Sequence, residues 1–252
     1  LYEEYLPLFE AEDFNACGDE PWELGRGRSR RRARRVGVGR VYLDFLRHLH
    51  RLCRTHGKRM NAWSDIVLAH PDLLGALPAG TVVLNWDYAP GGERIARSRD
   101  IAGAGLPLVV CPGTNAWNSH GCRLAAGMAN IATFAAEGRR CGAEGLLNTD
   151  WGDHGHRNPL AVSLPPFAWG AACAWNGRAA EADGFTRRFC RRVLGDTDGR
   201  LARAVRALGS AHERLGLPYA NRTALYPALV APAAEAVGED WPGGEALDGI
   251  GG

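Results

Sequence analysis

Five short runs of apolar and β-branched residues constrain the fold most: Phe14-Asn15-Ala16-Cys17, Arg59-Met60-Asn61-Ala62-Trp63, Thr81-Val82-Val83-Leu84-Asn85-Trp86, Leu108-Val109-Val110-Cys111 and Gly145-Leu146-Leu147-Asn148-Thr149. They read as buried strands. Between them lie stretches of helical spacing. Over residues 40 to 56, Val41, Tyr42, Phe45, Leu46, Leu49, Leu52 and Cys53 share one face, while Arg47, Arg51 and Arg54 fall elsewhere. Leu124, Met128, Ala132 and Ala135 mark a second buried stripe. Alternating strands and helices predict an α/β architecture with a parallel sheet, whose chemistry collects in the loops after the carboxyl ends of the strands.

Those loops share a composition. The first holds Gly18-Asp19-Glu20-Pro21-Trp22, the second Trp63-Ser64-Asp65, the third Trp86-Asp87-Tyr88, the fourth Asn115-Ala116-Trp117-Asn118 and the fifth Asp150-Trp151-Gly152-Asp153. A single tryptophan after a strand is usually packing. Five in corresponding positions favour a ligand platform, because sugar rings stack apolar C–H faces on indoles and their hydroxyls need carboxylate or amide partners alongside. No Gly-rich phosphate loop follows any strand: Gly25-Arg26-Gly27-Arg28 lacks the GxGxxG spacing.

The adjacent pair Asp19-Glu20 restricts the mechanism. Two carboxylates that flank a glycosidic bond as nucleophile and acid normally come from different strands. Neighbours on one loop divide the labour differently: Glu20, held protonated in a poorly solvated pocket, donates to the leaving oxygen, and Asp19 orients a nucleophile carried by the substrate. The 2-acetamido group of an N-acetylhexosamine is such a nucleophile.

With these residues in place, the chain resembles glycoside hydrolase family 20, the β-N-acetylhexosaminidases, and is most similar to the hexosaminidase D-like branch. Phe14-Asn15-Ala16-Cys17-Gly18-Asp19-Glu20 is similar to the family's Gly-x-Asp-Glu segment at the end of the fourth barrel strand, and Pro21-Trp22-Glu23-Leu24-Gly25-Arg26-Gly27-Arg28-Ser29 points to the branch. Similarity continues through Trp63-Ser64-Asp65-Ile66, Asn85-Trp86-Asp87-Tyr88, Pro112 to Asn118 and Thr149 to Asp153, reaching about residue 175. The resemblance implies part of a (β/α)8 TIM barrel, about strands 4 to 8, followed by C-terminal helices. It also implies three strands upstream, together with an arginine that grips sugar hydroxyls. By the same resemblance Asp19 holds the acetamido nitrogen and Glu20 is general acid, then base. Trp63, Trp86 and Trp117 wall the acetamido pocket, Tyr88 bonds the acetamide oxygen, Asp153 accepts sugar hydroxyls, and Trp22, Asp65 and Trp151 complete the substrate contacts. The alternative is a noncatalytic sugar-binding remnant of the barrel.

Residues 1–180 are expected to form the barrel segment, 181–234 a helical extension marked by Phe185, Phe189, Val193, Leu201, Val205, Leu208 and Leu215, and 235–252 a disordered tail rich in Gly, Asp, Glu and Pro. The formal charge of +2 gives no global field for nucleic acid or a membrane. Arg26, Arg28, Arg30, Arg31, Arg32, Arg34 and Arg35 form a basic run that reads as a solvated loop, because no stacking aromatics interleave them. Asp153, His154 and His156 lack a fourth member at ligand spacing, so neither a metal nor a cofactor is expected. Seven cysteines without a CxxC pair read as reduced, mostly buried thiols. No apolar run approaches the roughly 18 residues of a membrane span, and residues 1 to 20 lack a secretory signal's basic start and apolar core. The cytoplasm is therefore the expected compartment. An N-acetylhexosamine-containing glycan is the expected partner, and the opening at Leu1 inside an amphipathic stretch predicts further sequence upstream.

Overall fold

The computed structural model describes residues 1–153, 155–177, 182, 184–215, 221–223 and 225–230. The 235–252 segment and His154 lie outside the described residues. Along the chain, α1 (Tyr2–Tyr5) precedes β1 (Asp13–Asn15), α2 (Arg30–Val36), α3 (Val38–Thr55), β2 (Arg59–Trp63), α4 (Asp65–Ala69) and β3 (Val82–Trp86). There follow α5 (Glu93–Ala96), α6 (Ser98–Gly103), β4 (Leu108–Cys111), α7 (Leu124–Arg140) and β5 (Gly145–Leu146). The chain continues through α8 (Leu164–Asn176), α9 (Phe185–Val193), α10 (Arg200–Gly209) and α11 (Leu225–Val230). The described residues gather into two compact units: residues 1–86, 93–111 and 137–147 form the first, and 87–92, 112–136 and the described residues from 148 to 230 the second.

The first unit carries the sheet. Its five strands pair in sequence order, all parallel, and curl like half of a barrel. Asp13 opposes Arg59, Asn61 opposes Val82, Val83 opposes Leu108 and Val109 opposes Gly145. The expected α/β class with a parallel sheet is what the chain adopts. The curl is visible in one side chain: Arg59, at the start of β2, donates to Asp13 of β1 at 2.7 Å and to Glu144, just before β5, at 2.9 Å. These exposed pairs add at most about 1 kcal/mol each.

β3 is buried from Val82 through Asn85, as a central strand covered on both faces must be. The long helix α3 covers the sheet through Tyr42, Leu43, Leu46, Leu49 and Cys53. Phe45, expected on that stripe, is 54% exposed instead. The buried sector of the helix is rotated toward Leu43, which leaves Phe45 beyond its edge.

In the second unit, Gly113 and Thr149 form one isolated parallel bridge. The expected C-terminal helices form, with Phe189, Cys190 and Ala202 buried between α9 and α10 and Trp169 of α8 packed edge-on against Phe185. Of the seven cysteines, Cys53, Cys111, Cys122, Cys173 and Cys190 are buried, while Cys17 is exposed. Among the described residues no helix is long and apolar enough to cross a membrane.

Candidate active site

β1 leads straight into the acid pair. After Ala16 donates its N–H to Asn61 O at 2.9 Å, the backbone leaves the ladder through left-handed conformations at Cys17 (φ +59°), Gly18 (φ +87°) and Glu20 (φ +44°). Such conformations cost about 1–3 kcal/mol at a non-glycine residue and persist only where the surroundings fix them. Four fasteners do so. Cys17 N–H donates to Asn15 Oδ1 (2.9 Å), Trp63 N–H to Cys17 O (3.2 Å), the Tyr42 hydroxyl to Gly18 O (2.9 Å) and Glu20 N–H to Asp65 Oδ2 (2.9 Å). Position 18 favours glycine by its φ of +87°, and a Cβ there would also lie 3.0 Å from the Tyr42 hydroxyl, tight enough that the phenol would have to shift.

Electrostatics tie the same residues together. Burial lifts the Asp65 carboxyl above its ordinary range, and the nearby negative charge of Asp19 adds to the effect, against the Glu20 N–H and the charge of Arg94. Asp65 Oδ1 is buried with no hydrogen-bond partner among the described residues. The Tyr42 phenol is raised by burial and by the charges of Asp65 and Asp19, and the Cys17 thiol is raised by burial and by Asp19. Asp19, Asp65, Tyr42 and Cys17 thus share one electrostatic environment. Glu20 departs from expectation: its side chain is exposed, so burial does not supply the desolvation expected to keep it protonated. One oxygen of Asp65, a residue expected to touch substrate, holds the Glu20 backbone.

This arrangement predicts a graded response at position 65. Asp65→Ala removes the acceptor of the Glu20 N–H and is expected to cost about 0.5–1.5 kcal/mol, whereas Asp65→Asn keeps an acceptor and costs less, as read by urea denaturation. The pH dependence has a definite sign. The fold retains the Asp65 proton to a higher pH than the unfolded chain does, so Asp65's contribution to stability is full below the ordinary carboxylate pKa. It is lost as pH rises through the raised value. Asp65→Asn should flatten that slope.

The tryptophans of the first unit differ in what they offer. Trp22 is 75% exposed on the loop after the acid pair, and Trp63 is buried. Trp86 is half-buried with the Arg94 guanidinium 3.9 Å above its ring, so one face of the indole is covered by a cation. Beneath them runs a buried polar network: Ser64 Oγ donates to Asn85 Oδ1 at 2.9 Å, and Asn85 Nδ2 donates to Arg94 O at 2.6 Å and Ser98 Oγ at 2.9 Å. A buried, fully bonded asparagine at the end of a strand fixes the loop that follows it.

In the second unit, Tyr88 is the hub. Its ring meets Trp117 edge-on at 5.0 Å, its carbonyl accepts from Asn115 Nδ2 at 3.1 Å, and its hydroxyl accepts from Trp151 Nε1 at 2.6 Å. Trp117 is expected to help wall the acetamido pocket. It is fully buried, and its indole N–H donates to Asn221 Oδ1 at 2.8 Å, so it presents no stacking face. Trp151 is half-buried, and Asp153 is exposed beside it. Thr114 Oγ1 donates to Asp150 Oδ1 at 2.7 Å, and His156 Nε2 lies 3.3 Å from the same oxygen. Arg123 is buried without a carboxylate partner among the described residues. Its guanidinium donates to Asn115 and Asn221, and burial pulls its pKa down to about 10.

Gly113 belongs to this packing, since a Cβ there would come within 2.4 Å of the Trp117 ring and 2.8 Å of Tyr88. Gly113→Ala is therefore expected to destabilise the protein by about 1–3 kcal/mol, seen as a lower urea midpoint.

Asp87, placed with Tyr88 on the strand-three loop, has a structural task as well: its carbonyl accepts from Asn130 Nδ2 at 3.0 Å. Sequence reasoning singled out neither the buried Asn85, Asn130 and Arg123 nor the hydroxyl of Tyr42. Only Asn85 carries a sequence signal, an amide inside an apolar strand. Among the described residues no group of three His, Cys, Asp or Glu side chains is placed to hold a metal ion. Compared with known proteins, the chain matches no protein-family model and no curated protein.

Proposed function

We propose that the chain is a retaining β-N-acetylhexosaminidase, and that its curled parallel sheet corresponds to strands 4 to 8 of a (β/α)8 TIM barrel. The observation that carries this reading is the Asp19-Glu20 turn, set at the carboxyl end of β1 and held in a strained conformation by Asp65 and Tyr42. Strain that several elements cooperate to maintain is characteristic of functional turns.

The substrate carries the nucleophile. Asp19 accepts the N–H of the 2-acetamido group and turns its carbonyl oxygen toward the anomeric carbon. As that oxygen bonds to the anomeric carbon, the glycosidic C–O bond breaks and Glu20 transfers its proton to the leaving oxygen. The carboxylate of Glu20 then takes a proton from water, which attacks the anomeric carbon of the oxazolinium and restores the acetamide. Two inversions give net retention. The bound sugar covers Glu20 and so supplies the desolvation that the free protein lacks.

A thiazoline analogue of the cyclised intermediate tests substrate assistance. It should bind about 100-fold or more tighter than a substrate. An inhibition constant near the substrate KM contradicts the mechanism. The exposure of Glu20 favours one second reading, a noncatalytic carbohydrate-binding module. Such a module binds N-acetylhexosamine without hydrolysing an aryl glycoside of it.

A further inference from the structure

The basic segment beyond the acid pair has no role in that reaction. Residues 24–43 contain eight arginines and neither Asp nor Glu, although the whole chain has a formal charge of only +2. Arg26, Arg28, Arg30, Arg31, Arg34 and Arg35 are all exposed. None of the six has a carboxylate in ion-pair range among the described residues, whereas Arg32 pairs with Asp44. Asp44 is shared further with Arg40 at 3.3 Å and Arg47 at 3.8 Å, so it has little charge left to offer. On α2 only Ala33 is buried. Arg30 with Arg34 and Arg31 with Arg35 are like charges one turn apart, which weakens a helix unless an anion lies across them.

The segment also begins beside the acid pair. Trp22 N–H donates to Glu20 O at 2.7 Å, Leu24 N–H to Pro21 O at 2.8 Å and Arg26 N–H to Glu23 O at 2.8 Å. These successive turns keep residues 20–26 from extending. Trp22, 75% exposed, stands between Glu20 and the first arginine.

We propose, resting on the glycosidase reading, that this surface selects an anionic glycan: the acid pair meets the terminal N-acetylhexosamine, while Trp22 and the arginines of 26–35 bind sulfate- or carboxylate-bearing sugars further along the chain. Guanidinium forks match oxyanions with paired hydrogen bonds, and the indole stacks on a sugar face. A nucleic acid fits less well. Single strands are held by a series of stacked aromatics, and this surface has one.

The test titrates the intact protein with a sulfated chondroitin hexasaccharide, with chitohexaose and with an RNA hexamer. The sulfated glycan should bind about tenfold or more tighter than chitohexaose and should lose about tenfold in affinity between roughly 50 and 200 mM salt, as counterion release requires. The triple variant Arg31→Gln/Arg34→Gln/Arg35→Gln, with its circular dichroism spectrum unchanged, should bind it about tenfold more weakly, while the corresponding Lys triple keeps most of the salt dependence. Equal affinity for the sulfated and neutral glycans, tighter binding of the RNA, or indifference to the Gln triple overturns the proposal. Hydrolysis of an aryl β-N-acetylglucosaminide, measured in parallel, separates the two claims. Binding of the sulfated glycan without hydrolysis contradicts the glycosidase reading and leaves the anion surface standing, whereas hydrolysis without such binding overturns this surface alone.

Discussion

Glu20→Gln should lower kcat for 4-methylumbelliferyl β-N-acetylglucosaminide by about 10²–10⁴-fold, the usual contribution of a positioned general acid, with a much smaller change in KM. Glutamine keeps the backbone N–H that Asp65 accepts and sits at an exposed position, so the thermal midpoint should stay within about 1 °C. The loss should depend on the leaving group. A dinitrophenolate departs without a proton, so the variant should recover much of the wild-type rate for bond cleavage with that substrate. A uniform loss across leaving groups would assign Glu20 a role other than proton donor.

The second large effect concerns stability. Trp117→Ala should cost about 3–5 kcal/mol, because it removes a fully buried indole, the edge contact with Tyr88 and the hydrogen bond to Asn221. The cavity left behind has little means of closing: Gly113 supplies no side chain to fill it. Urea unfolding followed by fluorescence checks this, with Trp117→Phe expected to retain most of the stability. A cost for Trp117→Ala below about 1 kcal/mol would mean that the indole is not part of a packed interior.

Much of the fold can be read from the residues alone because its signals are local. The runs at 59–63 and 108–111 coincide with β2 and β4, and the expected sites of helix and strand alternate as observed. Strand ends are harder. The run at 14–17 closes at Asn15, since Cys17 takes a positive φ that no propensity scale anticipates. Phe45 shows a similar limit, because helical spacing defines a face but not which edge of that face the sheet covers.

The acid pair is legible at the level of residues, but its setting is not. That Asp65 clamps Glu20 through the backbone, 45 positions earlier in the chain, follows only from the parallel register of β1 and β2. Exposure is equally hidden, as the contrast between Trp22 and Trp117 shows, since the same residue type after a strand becomes a surface platform or an interior post according to what the neighbouring loops cover. Arg123 illustrates the same point for charge. A buried arginine held through one guanidinium nitrogen by asparagine carbonyl oxygens leaves no motif in the chain.

The central claim is that the substrate's own acetamide is the nucleophile beside Asp19 and Glu20. Its most direct test compares hydrolysis of two aryl β-glycosides that differ only at carbon 2, one bearing an acetamido group and the other a hydroxyl. The account predicts hydrolysis of the acetamido sugar and no detectable hydrolysis of the glucoside. Comparable hydrolysis of both, or of the glucoside alone, would contradict it.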